Sequence, residues 1–409
     1  MQQEETKRRL VRVASDDIDD AAKLRVLMIS ASGALGGAER SLVELAAALP
    51  KDRFLPSICV PPDSQLERHC SLAKMQIHPV HLRRFRRTTN PFVLAGQVRA
   101  LYQGSRTIAE LCKQKQIDLL HGNTDNAALL AWEVSRITRI PFVWHCRDLI
   151  RLHGFARILG NAAAAVIAIS AAVEQHLLKE GVPREKLHRI DNGIDLTRIV
   201  APADRAGARA RVRAKLGIEN DRPVLLCVGA YVPWKKHEKF LDMLAEFKSR
   251  VPPVLGLLAG SGQVNKSDVY GKALRAHARE LKLDTSLLHF MNERDDVPDL
   301  MAAADVLVSC SENEPFGRVV AEAGAAGLPV VSTRSGGKAE IIEDDKTGFL
   351  VTPGDVEALT TACTKLLADP KMRQQFGDAA RERVEKMYNI QNTAAKVAAL
   401  LESIPIKKT

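Results

Sequence analysis

Short apolar runs alternate with longer amphipathic stretches along most of the chain, beginning at Leu24. Leu24–Ser30 is rich in aliphatic residues and stops at a Ser-Gly pair, the pattern of a strand buried on both faces. Beyond it Leu42, Leu45, Ala46 and Leu49 recur at helical spacing, which predicts a helix over Ala38–Leu49. Leu55–Val60, Ile117–His121, Phe142–His145 and Ala165–Ser170 read as further strands, with a helix over Asn126–Thr138. A basic, Pro/Ala-rich stretch, Arg198–Arg213, reads as an inter-domain connector. A second cycle follows, with strands at Val224–Val228, Val254–Leu258, Leu287–Phe290, Asp305–Val308 and Leu328–Ser332. Helices fall between them at Lys236–Lys248, Tyr270–Leu281, Val297–Ala303 and Val319–Ala326. Such alternation gives parallel strands joined by crossover helices. The expected fold class is therefore α/β, two doubly wound domains facing a central cleft, with ligands beyond the carboxyl ends of the strands. Residues 1–22 read as a polar, disordered tail, 23–200 as the first domain and 201–385 as the second. The terminal segment 386–409 carries a helix from about Met387 to Leu401, a candidate to cross back to the first domain.

Composition narrows the class. The 409 residues are 46% hydrophobic and 26% charged, a soluble globular balance in a chain too long for one core. The longest apolar stretch, Ala162–Ile169, falls far short of the roughly 20 residues that a membrane span needs. The N-terminus has no apolar signal core, so the expected location is cytoplasmic. Seven cysteines, scattered and never in a C-x-x-C arrangement, read as reduced thiols with neither disulfides nor zinc.

Charge adds a partner class. Of the net +10, nine units lie in residues 1–210, where 31 Lys/Arg face 22 Asp/Glu. Such a half suits nucleic acid, an anionic membrane surface or a phosphorylated substrate. Aromatics at 4% weaken the first of these, and no nucleic-acid partner is expected. The cluster with Arg83, Arg84, Arg86 and Arg87 is a candidate acceptor-binding or membrane-docking segment, and a solvated loop accounts for it equally well.

Several turns have the residues for ligand chemistry. The first strand runs into Ser32–Arg40, where Gly33, Gly36 and Gly37 let backbone approach an anion at a helix N-terminus. The spacing is neither G-x-G-x-x-G nor that of a phosphate loop, and a tight turn alone would also account for it. Lys235, just beyond Val224–Val228, offers a point charge with three donors. Gly260-Ser261-Gly262 makes a second glycine turn at a strand end. The sharpest feature is Glu312–Gly324. Glu314 precedes a helix start with Pro315 and Gly317 in its entry turn, and Glu322 follows a little over two turns later. Two such carboxylates can hold separate hydroxyl-bearing groups of one ligand, with free helix N–H groups between them; a capped surface helix is the alternative.

Taken in order, these phrases resemble the retaining, nucleotide-sugar-dependent glycosyltransferases of family 4, which have the GT-B fold of two Rossmann-like domains. The resemblance runs from about Lys23 to Leu401. It rests on GGAER (Gly36–Arg40), DNGID (Asp191–Asp195), the loop Gly229–Lys235, AGSG (Ala259–Gly262) and EPFGRVVAE (Glu314–Glu322). GLPVVST (Gly327–Thr333) with Gly336-Gly337, and TGFLV (Thr347–Val351), complete it.

The resemblance implies an acceptor-binding N-terminal domain and a donor-binding C-terminal one. It implies transfer of a sugar from a nucleoside-diphosphate sugar to an acceptor hydroxyl, in envelope polysaccharide or glycolipid synthesis. Glu314 would bind the sugar hydroxyls, helped by backbone N–H groups around Phe316, Gly317 and Arg318. Glu322 would take the ribose and Lys235 the diphosphate. Gly36 and Gly37 would approach the donor phosphates, and Gly260 and Gly262 complete the donor set. His145, in VWHCRD, would face the sugar and join Glu314 and Lys235 as catalytic residues. His121 is a second candidate, or a structural histidine. The D-x-D pair of metal-dependent glycosyltransferases occurs only as Asp17-Ile18-Asp19 in the tail. No metal or other cofactor is therefore expected, the donor being the substrate. The expected partners are that donor, a glycan or lipid-linked acceptor and an anionic membrane surface, with peripheral placement at the inner face of the membrane.

One position departs from the pattern. Ala230 stands where the family loop usually has an arginine, so Lys235, with Lys236, faces a diphosphate alone. Arg318 and Arg147 are candidates to compensate. A GT-B module that binds a nucleotide or glycan without transferring it is the alternative expectation.

Overall fold

The computed structural model describes residues 22–82, 84–85, 88–199, 204–248, 253–260, 268–292 and 294–406. The chain divides into two compact units. The first runs to Ile169 and includes Glu174–Gly193 and the chain from Gln391 on; the second comprises Ser170–Val173 and Ile194–Ile390.

In the first unit seven parallel strands form one sheet: β1 (Leu24–Ile29), β2 (Phe54–Val60), β3 (Ile77–Pro79), β4 (Leu119–Gly122), β5 (Phe142–Cys146), β6 (Ala165–Ala168) and β7 (Leu187–Arg189). Their order is β3-β2-β1-β4-β5-β6-β7. Val26 of β1 sits opposite Pro56 on one side and Leu119 on the other. Val26, Leu27, Met28 and Ile29 are all completely buried, because helices cover both faces of a parallel sheet. The three-residue edge strands β3 and β7 are too short to show a pattern of their own and were not among the expected strands.

The 25-residue helix Pro91–Lys115 was not expected either. Its start is set by local chemistry: Asn90 Oδ1 accepts the N–H groups of Phe92 (2.9 Å) and Val93 (3.3 Å), and Pro91 occupies the first turn.

The second unit holds β8 (Val224–Val228), β9 (Leu255–Ala259), β10 (Leu288–Met291), β11 (Val306–Ser309), β12 (Val330–Thr333) and β13 (Gly348–Val351), all parallel, in the order β10-β9-β8-β11-β12-β13. Its core includes the fully buried Leu225, Phe240, Leu241, Leu258, Val306 and Leu359. In both sheets the order reverses once, between β1 and β4 and between β8 and β11. These are the switch points beyond whose carboxyl ends ligands bind in open α/β sheets.

One expectation needs correction. The stretch expected as a connector is largely the helix Arg205–Leu216, which belongs to the second unit and packs on the helix Val297–Ala303. Two of its basic side chains, Arg209 and Arg213, point inward for a reason. Arg213 is fully buried and donates to the carbonyls of Ala303 (3.0 Å), Glu219 (2.8 Å), Asn220 (3.0 Å) and Arg222 (2.8 Å) and to Asp305 Oδ2 (3.0 Å). Arg209 takes the other oxygen of Asp305 at 2.8 Å. A guanidinium with its donors satisfied in this way is a structural tie, and a charge count alone cannot tell it from a solvated one. The terminal helix expected at about Met387–Leu401 runs over Ile390–Glu402, and a separate helix, Pro370–Met387, precedes it. Between them the backbone pairs with Ile194, whose N–H donates to Tyr388 O (2.8 Å) and whose carbonyl accepts from Ile390 (3.0 Å).

Candidate functional site

The loops after β8 and β11 flank the switch point of the second sheet. After β8 the chain makes a short turn, Pro233–Lys235, that presents Lys235. The start of this loop lies against the end of β9, where a Cβ on Gly260 would meet the Gly229 carbonyl oxygen at 1.9 Å. Only glycine permits that approach. The Lys235 ammonium stands 4.4 Å from the Trp234 ring centre and 2.7 Å from Glu314 Oε2.

Glu314 is held from several sides. Its Oε2 also accepts from the Ser311 hydroxyl at 3.0 Å. Its backbone carbonyl accepts from Gly337 N at 2.9 Å. Gly336, at φ +58°, lies so close that a Cβ would sit 2.0 Å from that same carbonyl oxygen. The loop is tied to the Lys235 turn by Glu312 N donating to Trp234 O at 2.8 Å, and to the β12 end by Asn313 N donating to Ser335 Oγ at 2.7 Å. The side chains of Lys235 and Glu314 keep only 16% and 12% of their exposure, so the pair is sheltered yet reachable. Burial pushes the Glu314 carboxyl up, but Lys235, Lys338 and the Ser311 hydroxyl together outweigh it and hold its pKa below the usual glutamate value.

Gly317, at φ +101°, opens the helix Arg318–Ala325. From its first residue, Arg318 Nε donates to Glu322 Oε1 at 2.8 Å, so one oxygen of the partly buried Glu322 is engaged. Phe316 is nearly buried and meets Tyr388 edge-on with ring centres 5.6 Å apart, a packing role for the side chain. Ala230 puts its carbonyl on Val232 N (2.9 Å) and on His237 Nε2 (3.1 Å). Burial pushes His237 down to about 4, so this histidine is neutral and braces the loop. Lys236 lies 3.9 Å from Glu238 and 3.8 Å from Glu312, two loose pairs on a partly exposed side chain.

Lys338 escaped the sequence reading. It is fully buried, and its ammonium donates to Ser311 O (2.7 Å) and Thr333 Oγ1 (2.8 Å), with longer contacts to Ser309 O (3.4 Å) and Ser309 Oγ (3.5 Å). Burial pushes its pKa down to about 8 against the attraction of Glu314. It thereby fastens the strand end from which Glu314 projects. The one available signal is its position after Gly336-Gly337: a Cβ on Gly337 would come within 2.7 Å of Phe316 Cα, so that turn packs directly on the Glu314 loop.

In the first unit, His121 and His145 end β4 and β5. His121 Nε2 and His145 Nδ1 are 3.0 Å apart, and both rings are buried. Burial, reinforced by Arg147, pushes His121 down to about 3 and His145 well below the ordinary histidine range, so both are neutral. His121 Nδ1 and His145 Nε2 have no hydrogen-bond partner among the described residues. Arg147 is anchored, with Nε donating to Asn123 Oδ1 (2.6 Å) and Nη1 to Asn192 Oδ1 (2.8 Å). Asn123 and Asn192 in turn donate to Ala38 O and Ser41 Oγ, both at 3.0 Å, and so fasten the helix Gly37–Ala48. Gly36 N donates to Glu39 Oε2 at 3.1 Å at the entry of that helix. Both cations named as substitutes for the missing arginine thus already have partners.

The structure brings Lys235 and Glu314 into direct contact, with Arg318 and Glu322 on the following helix and Gly260 beneath the Lys235 loop. It puts Gly36, Gly37 and His145 in the first unit. Arg84 is exposed; Arg83, Arg86, Arg87 and Gly262 lie outside the described residues, as do Asp17 and Asp19.

Comparison with known proteins accords with this geometry. Residues 35–198 match the family model Glycosyltransferase Family 4, and residues 208–383 match Glycosyl transferases group 1. The chain is 32% identical over 253 residues to the GDP-mannose-dependent alpha-(1-6)-phosphatidylinositol monomannoside mannosyltransferase of Mycolicibacterium smegmatis, over 60% of this chain and 64% of that protein. It is 30% identical over 303 residues to sulfoquinovosyl transferase SQD2 of Arabidopsis thaliana, over 69% of this chain and 56% of that one. The matches thus span less than two thirds of either relative's length. Among solved structures, Anabaena Alr3699/HepE in complex with UDP-glucose superposes with a TM-score of 0.80 at 26% identity, over 93% of this chain and 100% of that one. With two all-parallel sheets and matches to both domain models, the chain belongs to the family 4 glycosyltransferases and has the GT-B fold.

Proposed function

We propose that the protein is a retaining glycosyltransferase that moves a sugar from a nucleoside-diphosphate sugar to an acceptor hydroxyl, in the synthesis of an envelope polysaccharide or glycolipid at the cytoplasmic face of a membrane. The observation that carries this reading is the sheltered Lys235–Glu314 pair at the switch point of the second sheet. In the bound state Lys235 turns from Glu314 to the diphosphate, and the freed carboxylate accepts hydrogen bonds from sugar hydroxyls. Glu322 takes the ribose hydroxyls. The N–H groups at the start of Arg318–Ala325 add partial positive charge near the leaving group. The acceptor oxygen bonds to the anomeric carbon on the face from which the diphosphate leaves, the carbon–phosphate-oxygen bond breaks, and the departing phosphate takes the hydroxyl proton. His145, held neutral by burial, is assigned to the sugar, and Gly36 and Gly37 to the donor phosphates. A nucleotide-sugar complex in the Anabaena relative supports the donor class, and the phosphatidylinositol monomannoside in the mycobacterial relative's name supports a lipid-linked acceptor.

Donor binding is tested by thermal shift across UDP-, GDP- and ADP-sugars. A true donor at a hundred times its Kd stabilises the folded chain by about 2.7 kcal/mol and raises Tm, and Glu322→Ala is expected to abolish most of that gain. No shift with any nucleotide sugar contradicts the reading.

The same reading puts the charge of the leaving diphosphate on Lys235 and backbone N–H groups, with no metal ion. Turnover is therefore expected to be unchanged in EDTA, whereas loss in EDTA with recovery on adding Mg²⁺ would assign the charge to a metal. The non-transferring module stays as a second reading because Ala230 removes a cation and both Arg318 and Arg147 have other partners. Tight donor binding without nucleotide release across the panel would favour it.

A further inference from the structure

We propose that His121 is a positioning residue for His145: it keeps the proton of that ring on Nδ1 and so turns a bare Nε2 outward, where a sugar hydroxyl donates to it. The inference rests on the assignment of His145 to the sugar made above.

Strand register brings the two rings together. His121 of β4 lies opposite Val143 of β5, and His145 follows Val143 by two residues. Side chains alternate along a strand, so both histidines point to one face of the sheet from neighbouring strands. Their ring centres are 5.1 Å apart and their planes cross at 80°, with His121 Nε2 and His145 Nδ1 at 3.0 Å. Trp144 and Cys146 point to the other face, where both donate to Asp125 Oδ1, at 3.2 and 3.4 Å. Asp125 therefore serves the opposite side of the sheet. Which nitrogen of a buried histidine carries the proton is set by the hydrogen bond that the other nitrogen makes. Among the described residues the His145 ring has His121 as its one hydrogen-bond partner, so His121 sets it.

Proton counting then gives the tautomer. Both rings are completely enclosed beside the Arg147 guanidinium, and neither takes a second proton. Each ring thus carries one N–H, and the 3.0 Å contact needs one of the two protons between the rings. Supplied by His121 Nε2, that proton would leave His121 Nδ1 bare. Supplied by His145 Nδ1, it leaves His121 protonated on Nδ1. The one group drawing a proton to the His121 ring is that residue's own backbone carbonyl, on the Nδ1 side. His121 therefore accepts, His145 donates from Nδ1, and His145 Nε2 keeps its lone pair. That nitrogen is buried and has no partner among the described residues. Protein interiors seldom leave a polar atom in this state, and a ligand hydroxyl satisfies it.

The test joins a spectroscopic and a kinetic readout on the full chain. With isotope-labelled histidine, ring nitrogen correlations in NMR are expected to show His145 protonated on Nδ1 in the wild type. In His121→Phe, which keeps the shape and removes the acceptor, the proton is expected to move to Nε2. His121→Gln, whose amide oxygen reaches the place of the lost ring nitrogen, is expected to keep it on Nδ1. With a nucleotide-sugar donor found by thermal shift, His121→Phe is expected to lower kcat about tenfold and to change the donor KM by less than about threefold. His121→Gln is expected to recover most of that loss. Added to His145→Ala, His121→Phe is expected to cost nothing further, because its effect passes through His145. A wild-type proton on Nε2, an unchanged tautomer or kcat in His121→Phe, or an additive loss in the double variant overturns the proposal. The wild-type tautomer is read whether or not His121→Phe folds. A wild type that transfers no sugar contradicts the function proposed above, and the tautomers then decide on their own what His121 does to His145.

Discussion

Replacing Glu314 with alanine is expected to lower kcat/KM for transfer by about two to three orders of magnitude, the loss typical of removing one preorganised group from a charged reacting centre. The size follows from the site. The carboxylate is sheltered, is held ionised by Lys235 at 2.7 Å, and is fixed by Ser311 and the Gly336–Gly337 turn, so its geometry is set before a donor arrives. Alanine removes the acceptor for the sugar hydroxyls and leaves Lys235 free to hold the diphosphate in an unproductive pose. The donor KM is therefore expected to change less than kcat. Glu314→Gln, which keeps the shape and loses the charge, should fall between. Because the folded pKa of Glu314 is depressed, its stabilising effect is present above the unfolded value and is lost as pH falls through the folded one. Turnover of Glu314→Ala within about threefold of wild type would show that the pair is not the centre of the site.

The second large effect is expected at Lys338, which is a positioning residue and touches no substrate. Lys338→Met keeps the stem and removes the ammonium that joins Ser309, Ser311 and Thr333. The loop presenting Glu314 then loses its internal tie, and kcat is expected to fall about ten- to a hundredfold, since displacements near 1 Å are enough for such a loss. Stability gives an independent readout with a definite sign. The folded pKa, about 8, lies below the unfolded lysine value, so between the two the unfolded chain holds a proton that the folded chain has released. Wild-type stability should therefore gain from this group as pH rises from about 8 to about 10, by up to about 3 kcal/mol, and the methionine variant should lack that gain. Denaturant unfolding of both proteins at pH 7 and pH 10 measures the difference. Parallel pH profiles would mean that Lys338 does not titrate in this range.

Much of the architecture was legible because parallel strands buried on both faces are continuous apolar words. β1, β8 and β11 could be read directly, and the functional loops follow their carboxyl ends. Glu314 and Glu322 were legible because Pro315 and Gly317 mark a helix entry between them, which sets one carboxylate before the helix and the other two turns along it. The edge strands β3 and β7 are only three residues long and carry no period. The helix Pro91–Lys115 was missed although Leu94, Val98, Leu101, Ile108 and Cys112 recur at helical spacing along it. Arg213 and Lys338 were hidden for a common reason: both donate to buried backbone carbonyls, which no sequence pattern displays. The Lys235–Glu314 contact joins residues 79 apart in sequence, and only the switch-point topology makes it expected.

A crystal of the wild-type chain with its best-stabilising nucleotide sugar tests the central claim most directly. The diphosphate is expected within salt-bridge reach of Lys235, with sugar hydroxyls on Glu314 and ribose hydroxyls on Glu322. A nucleotide bound away from the ends of β8 and β11, with Lys235 and Glu314 still paired to each other, would contradict that claim.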